Sequence, residues 1–271
     1  MWTGSVLDCF GLFCQLKESI VYGKSIADID FMYPTTLVPL LSYIEKYNVK
    51  LHPDIKGYID SIFQPPTKES NDYVLEKLEG EKRPDRMYNL MDALSEEYGN
   101  AVQYFLGELL ANIFDHSEFN NAFVMAQSYG GRNPFIEFCL YDDGISIPGS
   151  LKRYDKKFNL VEDCELINKA VNGQSTKIED DGRGCGINSS AQLIIDGFEG
   201  EMFIVSKNGA IYMKHGETTV RYNYPDGLDG TLIGLRVTKK RDVHWAQYAD
   251  RKRSFVGKKV VNIDANGNVR N

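Results

Sequence analysis

The chain has 271 residues, enough for one large domain or two modest ones, and its 42% hydrophobic and 25% charged content excludes chain-wide disorder. A formal net charge of −7 disfavours a nucleic-acid binder, which needs concentrated Lys and Arg. The five cysteines (Cys9, Cys14, Cys139, Cys164, Cys185) form no CxxC pair, and the four histidines are scattered, so free thiols in a reducing cytoplasm are expected and no metal-ligand spacing is present. The first twenty residues lack a basic leader and are interrupted by Asp8 and Gln15, which fits neither a signal peptide nor a membrane span.

Ile26 to Met32 alternates like a strand, and Pro34, Thr35 and Thr36 then supply helix-start chemistry. Leu37, Leu40, Leu41 and Ile44 follow at helical spacing. The paired prolines of FQPPTKESNDY read as a linker, and GEKRPD at 80–85 is a second breaker. Two helices are predicted next: MYNLMDALSEEY and, after a Gly-Asn turn, AVQYFLGELLANIFDH. AFVMAQSY and FIEFCLYD read as strands joined by a GGRNP hairpin loop. A polar stretch from about 149 to 186 leads into a helix, INSSAQLIIDGF. EMFIVSKN, GAIYMKHGE, TTVRYNY and GTLIGLRV then look like antiparallel strands with glycine turns. This order is an α+β sandwich rather than a βαβ repeat. In KKRDVHWAQYADRKRSFVGKKV, basic residues interleave with Trp245, Tyr248 and Phe255. Such a stretch either binds nucleic acid or packs as an amphipathic helix on its own domain or an acidic partner, and the acidic chain favours packing. NIDANGNVRN reads as a strand and turn or a frayed tail.

Chemistry concentrates in three places. On a helix over 102–117, Val102, Leu106, Leu109, Leu110, Ile113 and Phe114 share an apolar face, and Glu108, Asn112, Asp115 and His116 gather opposite. Residues four apart project side by side, so Glu108 can hold a water while Asn112 offers its carbonyl oxygen to Mg²⁺, a cation that prefers oxygen ligands and bridges phosphates. Alone, this pattern is equally a solvated helix face. FIEFCLYDDGISIPGS ends a buried strand in a carboxylate able to accept from an exocyclic amine, with a glycine beyond it that lets a flat ring approach the backbone. An ordinary Asp-Asp-Gly turn explains that segment equally well. Gly182, Gly184 and Gly186 alternate just before a helix, which suits an anion site, and Ser175, Thr176 and Lys177 stand just upstream. No P-loop and no Rossmann placement occurs.

In this order the segments ELLANIFDH, YDDGISIP, GRGCGI and GTLIGLRV resemble the N box, the D-x-G-x-G-I-P box, the second glycine box and the closing strand of the GHKL superfamily of ATP-binding proteins. The resemblance covers roughly residues 86–238. It implies a Bergerat-type α/β sandwich, a mixed and mostly antiparallel sheet with helices on one face, ATP and Mg²⁺ as ligands, and a mobile lid within 149–181. Carried over, Glu108 matches the general base and Asn112 the magnesium ligand, and Asp115 and His116 match positions that support the nucleotide. Asp142 matches the adenine-binding aspartate and Gly144 the first glycine, whereas Ser146 stands where the second glycine usually is. Ser-Thr-Lys at 175–177 is similar to the Ser-Thr of the kinase branches. Gly182, Gly184 and Gly186 match the glycines lining the phosphates, and Thr231 the threonine that reaches adenine through water.

The organisation expected is a small α/β domain at 1–80, the ATP-binding domain at 86–238 and a basic, aromatic segment at 239–271. The first unit weakly resembles the strand–helix element of STAS domains, in which a phosphate acceptor occupies the turn; here only Thr35 or Thr36 stands there, and a helix N-cap is the plainer reading. His52, followed by Pro53, suits a loop rather than the phosphoacceptor helix of a histidine kinase. Three functions stay open: a switch that phosphorylates or controls a protein partner, an ATPase whose lid closure drives a conformational change with a possible homodimer, and a nucleotide-sensing module without turnover. Glu108 favours the first two, because a sensor needs no base.

Overall fold

The computed structural model describes residues 4–21, 31–49, 56–57, 59–61, 73–79, 85–131, 133–174, 186–238, 243–249, 254–255, 257 and 259–270. Its elements in chain order are α1 (Val6–Val21), α2 (Pro34–Tyr47), β1 (Tyr73–Leu78), α3 (Asp85–Tyr98), α4 (Ala101–His116), β2 (Ala122–Tyr129), β3 (Phe135–Asp142) and α5 (Ile147–Tyr154). A 3₁₀ turn (Lys156–Leu160), α6 (Asp163–Val171), α7 (Ile187–Gln192), a π-turn (Leu193–Gly197), β4 (Glu201–Lys214) and β5 (Val220–Thr238) follow. The chain closes with α8 (Ala246–Ala249), β6 (Lys259–Ile263) and β7 (Val269–Arg270). This is an α+β fold.

The strands form one seven-stranded sheet in the order β1-β2-β3-β5-β6-β7, with β4 on the other edge of β5. Among the described residues only the β5–β6 pairing is parallel. Both faces of the sheet are covered, which explains why β2 and β3 read as near-continuous apolar runs. Val124, Ala126, Phe138, Leu140, Ile204, Leu235 and Val237 face a core shared with α3, α4, α6 and α7. Phe123, Met125, Cys139, Tyr141, Phe203, Val205 and Leu232 face a second core shared with α1 and α2. The helices α3, α4, α6 and α7 of the 86–238 segment share one face, and α1 and α2 of the 1–80 segment cover the other, with Leu37, Val38, Leu40 and Leu41 of α2 and Phe10 and Phe13 of α1 buried there. Residues 26–30 of the predicted first strand lie outside the described residues, and 31–33 run without regular structure into α2.

Two differences from expectation have local causes. The four predicted strands after residue 200 are two, β4 and β5, because a bulge between Ser206 and Gly209 lets a single strand bend and continue. The bulge also reverses the side-chain phase: Met202 and Ile204 share one face with Ile211 and Met213. The described part of the polar stretch, 149–174, is not a loop but α5, the 3₁₀ turn and α6, held by a small core of Leu151, Phe158 and Leu166. The described part of the C-terminal segment packs on its own chain, the alternative that the acidic composition favours: Phe255 is buried in the α4-side core, and Trp245 stacks on Tyr104 with ring centroids 4.7 Å apart. NIDANGNVRN forms the β6–β7 hairpin.

α1 and α2 are fastened to the sheet by a buried ionic network. Glu137 and Arg236 are cross-strand partners, with Arg236 Nε donating to Glu137 Oε2 at 2.7 Å. The other carboxylate oxygen of Glu137 accepts from the Thr35 amide at 2.9 Å. Glu201 accepts from the Val6 amide at 3.1 Å and lies 3.6 Å from Arg236 Nη1. Burial pushes the Glu137 carboxyl up, and the Arg236 guanidinium opposes that shift. Among the described residues no helix is long and apolar enough to cross a membrane.

Candidate functional site

α4 is the spine of the candidate site. Its apolar side, from Val102 through Ile113, is buried against the sheet, and Glu108, Asn112 and His116 are half-buried on the flank. Asp115 is exposed. The Asn112 side-chain nitrogen is buried with no hydrogen-bond partner among the described residues. Such an orphaned polar atom is costly in a folded interior and marks a place for a polar ligand or water. Glu108 and Asn112 offer the hard oxygen donors that suit a cation retaining several waters. Among the described residues no three His, Cys, Asp or Glu side chains converge as a ready-made metal cluster.

The end of β3 is tied to the C-terminal end of α4. Asp143 Oδ1 accepts from the amides of Asn120 and Asn121, each at 2.8 Å, and Ile145 N donates to the Ser117 carbonyl. The two segments approach so closely at Gly144 that a Cβ there would overlap the Ser117 carbonyl oxygen. Glycine is needed here for space. Gly230, at a φ of +74°, is equally crowded by the Asp142 carbonyl.

Asp142 is only 5% exposed, and its Oδ1 accepts from the Gly144 amide at 3.1 Å. Burial pushes its carboxyl up to about 7; the Gly144 amide opposes that shift and the neighbouring Asp143 adds to it. Thr231 is its cross-strand neighbour on β5. The Thr231 hydroxyl lies 2.9 Å from Ser206 Oγ, which donates to the Gly230 carbonyl and accepts from the Ile147 amide, each at 3.0 Å. Ser146 is a helix cap. Buried to 1% exposure, it caps α5, its hydroxyl accepting from the Gly149 amide at 3.0 Å.

At the other end of α4, Tyr104 OH bonds Ser189 Oγ on α7 at 3.2 Å, and the Trp245 ring lies over Tyr104. Gly186 precedes α7 with φ +55° and ψ −120°, a conformation that only glycine adopts freely. Ser175, Thr176, Lys177, Gly182 and Gly184 lie outside the described residues. No family model, curated protein or solved structure matches this chain. The fold and the local geometry must carry the functional argument.

Sequence reasoning missed Ser206, Tyr104 and Asn188. Ser206 is an unremarked residue of EMFIVSKN until the β4–β5 register sets it opposite Thr231. Asn188 is buried and clamps α6 to α7, donating to the Val171 carbonyl and accepting from Gln192 Nε2 at 2.6 Å. Its position two residues after Gly186 was the available signal. Thr35 and Thr36 are both fully buried. The Thr36 hydroxyl donates to the Cys9 carbonyl at 2.7 Å, and the N-cap is Tyr33. Neither threonine can receive a phosphate while α2 stays on the sheet, and neither is the cap expected of them.

Proposed function

We propose that this chain is a Bergerat-type Mg-ATP-binding protein that hydrolyses ATP or transfers its terminal phosphate to a protein partner as part of a regulatory switch. One observation carries the reading: the motif segments converge on a single helix. The Asp142–Ile145 loop is bonded to the C-terminal end of α4, and α7, which follows Gly186, is bonded to its N-terminal half. A helix with Glu108 and Asn112 between those two anchorages suits a nucleotide laid along it.

In this reading the ionised Asp142 accepts from the exocyclic amine of adenine, and Thr231 with Ser206 orients a water on the same edge of the ring. Asn112 would hold Mg²⁺ through its carbonyl oxygen, leaving its side-chain nitrogen as a donor for the nucleotide. The ion would supply charge neutralisation on the phosphate oxygens. Glu108, one helical turn before Asn112, takes the proton of the attacking water or hydroxyl. His116, a turn beyond Asn112, and Asp115 extend the polar flank toward the nucleotide. Gly186 leaves the backbone free to turn beside the phosphates.

Calorimetry with Mg-ATP on the wild type and Glu108→Ala, paired with γ-phosphate release, tests the reading. Binding by both proteins with turnover only in the wild type is the expected result. Absence of ATP binding by the wild type sinks the proposal. Binding with no turnover dependent on Glu108 would move the protein to the nucleotide-sensing class.

A further inference from the structure

The face of the sheet opposite the Asp142 site carries a separate cavity of about 380 Å³ between α1, α2 and β5. Its cause is in the strand pairing. Lys207 pairs with Leu228 and Gly209 with Asn223, so the four residues 224–227 of β5 stand opposite Asn208 alone. The excess chain swings off the sheet and leaves space against the C-terminal half of α2. That loop is fixed in place: Asn208 Nδ2 donates to the carbonyls of Tyr224 at 3.3 Å and Pro225 at 2.9 Å, and Gly227 turns it at a φ of +68°. Tyr141 OH closes one wall by donating to the Asp229 carbonyl at 3.0 Å. Bulges of this kind commonly re-aim side chains beside functional sites.

The lining pairs positive charge with aromatic surface. Lys17, Lys46 and Lys207 contribute three ammonium groups, against the two carboxylates Asp226 and Asp229. Lys46 and Lys207 converge on Asp229, the second at 3.7 Å, so among the described residues one carboxylate serves two ammonium groups. Lys17 Nζ donates to Tyr224 OH at 3.2 Å, a neutral partner. Tyr43 and Tyr47, with ring centroids 4.6 Å apart, and Tyr141 supply flat apolar walls. Ligand pockets characteristically combine such walls with a few convergent polar groups, in volumes of about 300–1,000 Å³.

We propose that this cavity binds a small aromatic anion: a planar ring against the tyrosines, with a carboxylate, sulfonate or phosphate held by Lys46 and Lys207. The site stands apart from the nucleotide reading, since Tyr141 faces the α1/α2 core while Thr231 and Asp142 meet at the strand ends beyond it. Anilinonaphthalene sulfonate, an aromatic anion of suitable size, is the probe. Titration of the full chain is expected to give one saturable fluorescent site. Lys46→Glu with Lys207→Glu should weaken it at least about tenfold, whereas Lys56→Glu, outside the cavity, should leave it unchanged. Folding of the variants is checked by thermal melting. Should the double variant fail to fold, wild-type protein carrying ¹³C-methylated lysines gives the answer, because the Lys46 and Lys207 resonances should shift together along the same binding isotherm. Absence of saturable binding, equal binding by the double variant, or lysine resonances that stay still would each overturn the proposal.

Discussion

In the proposed nucleotide site, Asp142 would tie affinity to pH. Burial pushes its carboxyl up to about 7 in the free protein. The ionised form is the stronger acceptor for an adenine amine, so apparent affinity rises with the ionised fraction. That fraction is about 3% at roughly pH 5.5 and about 97% at roughly pH 8.5, which predicts weaker Mg-ATP binding at the acid end, by up to about 30-fold. Near pH 7 about half a proton should be released per nucleotide bound, measurable by calorimetry in two buffers of different ionisation enthalpy. Asp142→Asn keeps an acceptor oxygen but has no charge to titrate, so its affinity should lack this step, and any titration of the phosphates themselves is common to both proteins. Stability carries the opposite sign. The folded chain holds a proton that the unfolded chain gives up between about pH 4 and pH 7, so the contribution of Asp142 to stability falls as pH rises through that window, by on the order of 4 kcal/mol. Without ligand at about pH 8, Asp142→Asn is therefore expected to be the more stable protein. Identical pH profiles of binding for wild type and Asp142→Asn would refute the reasoning.

Glu137→Leu leaves Arg236 buried beside a lost partner and should cost about 3–5 kcal/mol in urea denaturation, with part of that loss recovered by adding Arg236→Met. The recovery is partial because the Thr35 amide still lacks its acceptor. Gly144→Ala forces a methyl group into the Ser117 carbonyl and should destabilise by about 3 kcal/mol, measured by thermal melting. Gly107→Ala, on the same site but in open space within α4, should instead stabilise by about 0.5–1 kcal/mol. Equal behaviour of the two glycine variants would contradict the close approach at Gly144.

What could be read from sequence was whatever local periodicity encodes. The apolar stripe of α4, the Gly99-Asn100 turn before it and the paired runs of β2 and β3 all have the predicted form, because each is set by residues within a few positions of one another. The second layer of helices was not legible, since nothing local says that Phe123 and Cys139 are covered as fully as Val124 and Phe138. A near-continuous apolar run was the available sign of burial on both faces. The same limit applies to Gly234, whose small size is explained by the Thr35 side chain packed over it from α2, far away in sequence. In the candidate site, Asp142 stood out at the end of an apolar strand and Thr231 through the resemblance, but the Ser206 hydroxyl between Thr231 and the Ile147 amide depends on a strand register that only the β4–β5 pairing supplies. Polar groups that touch one another across the sheet are thus the last to be recovered from sequence. The raised proton affinity of Asp142 has the same origin: it comes first from burial by chain remote in sequence, and its motif neighbours Gly144 and Asp143 only adjust it.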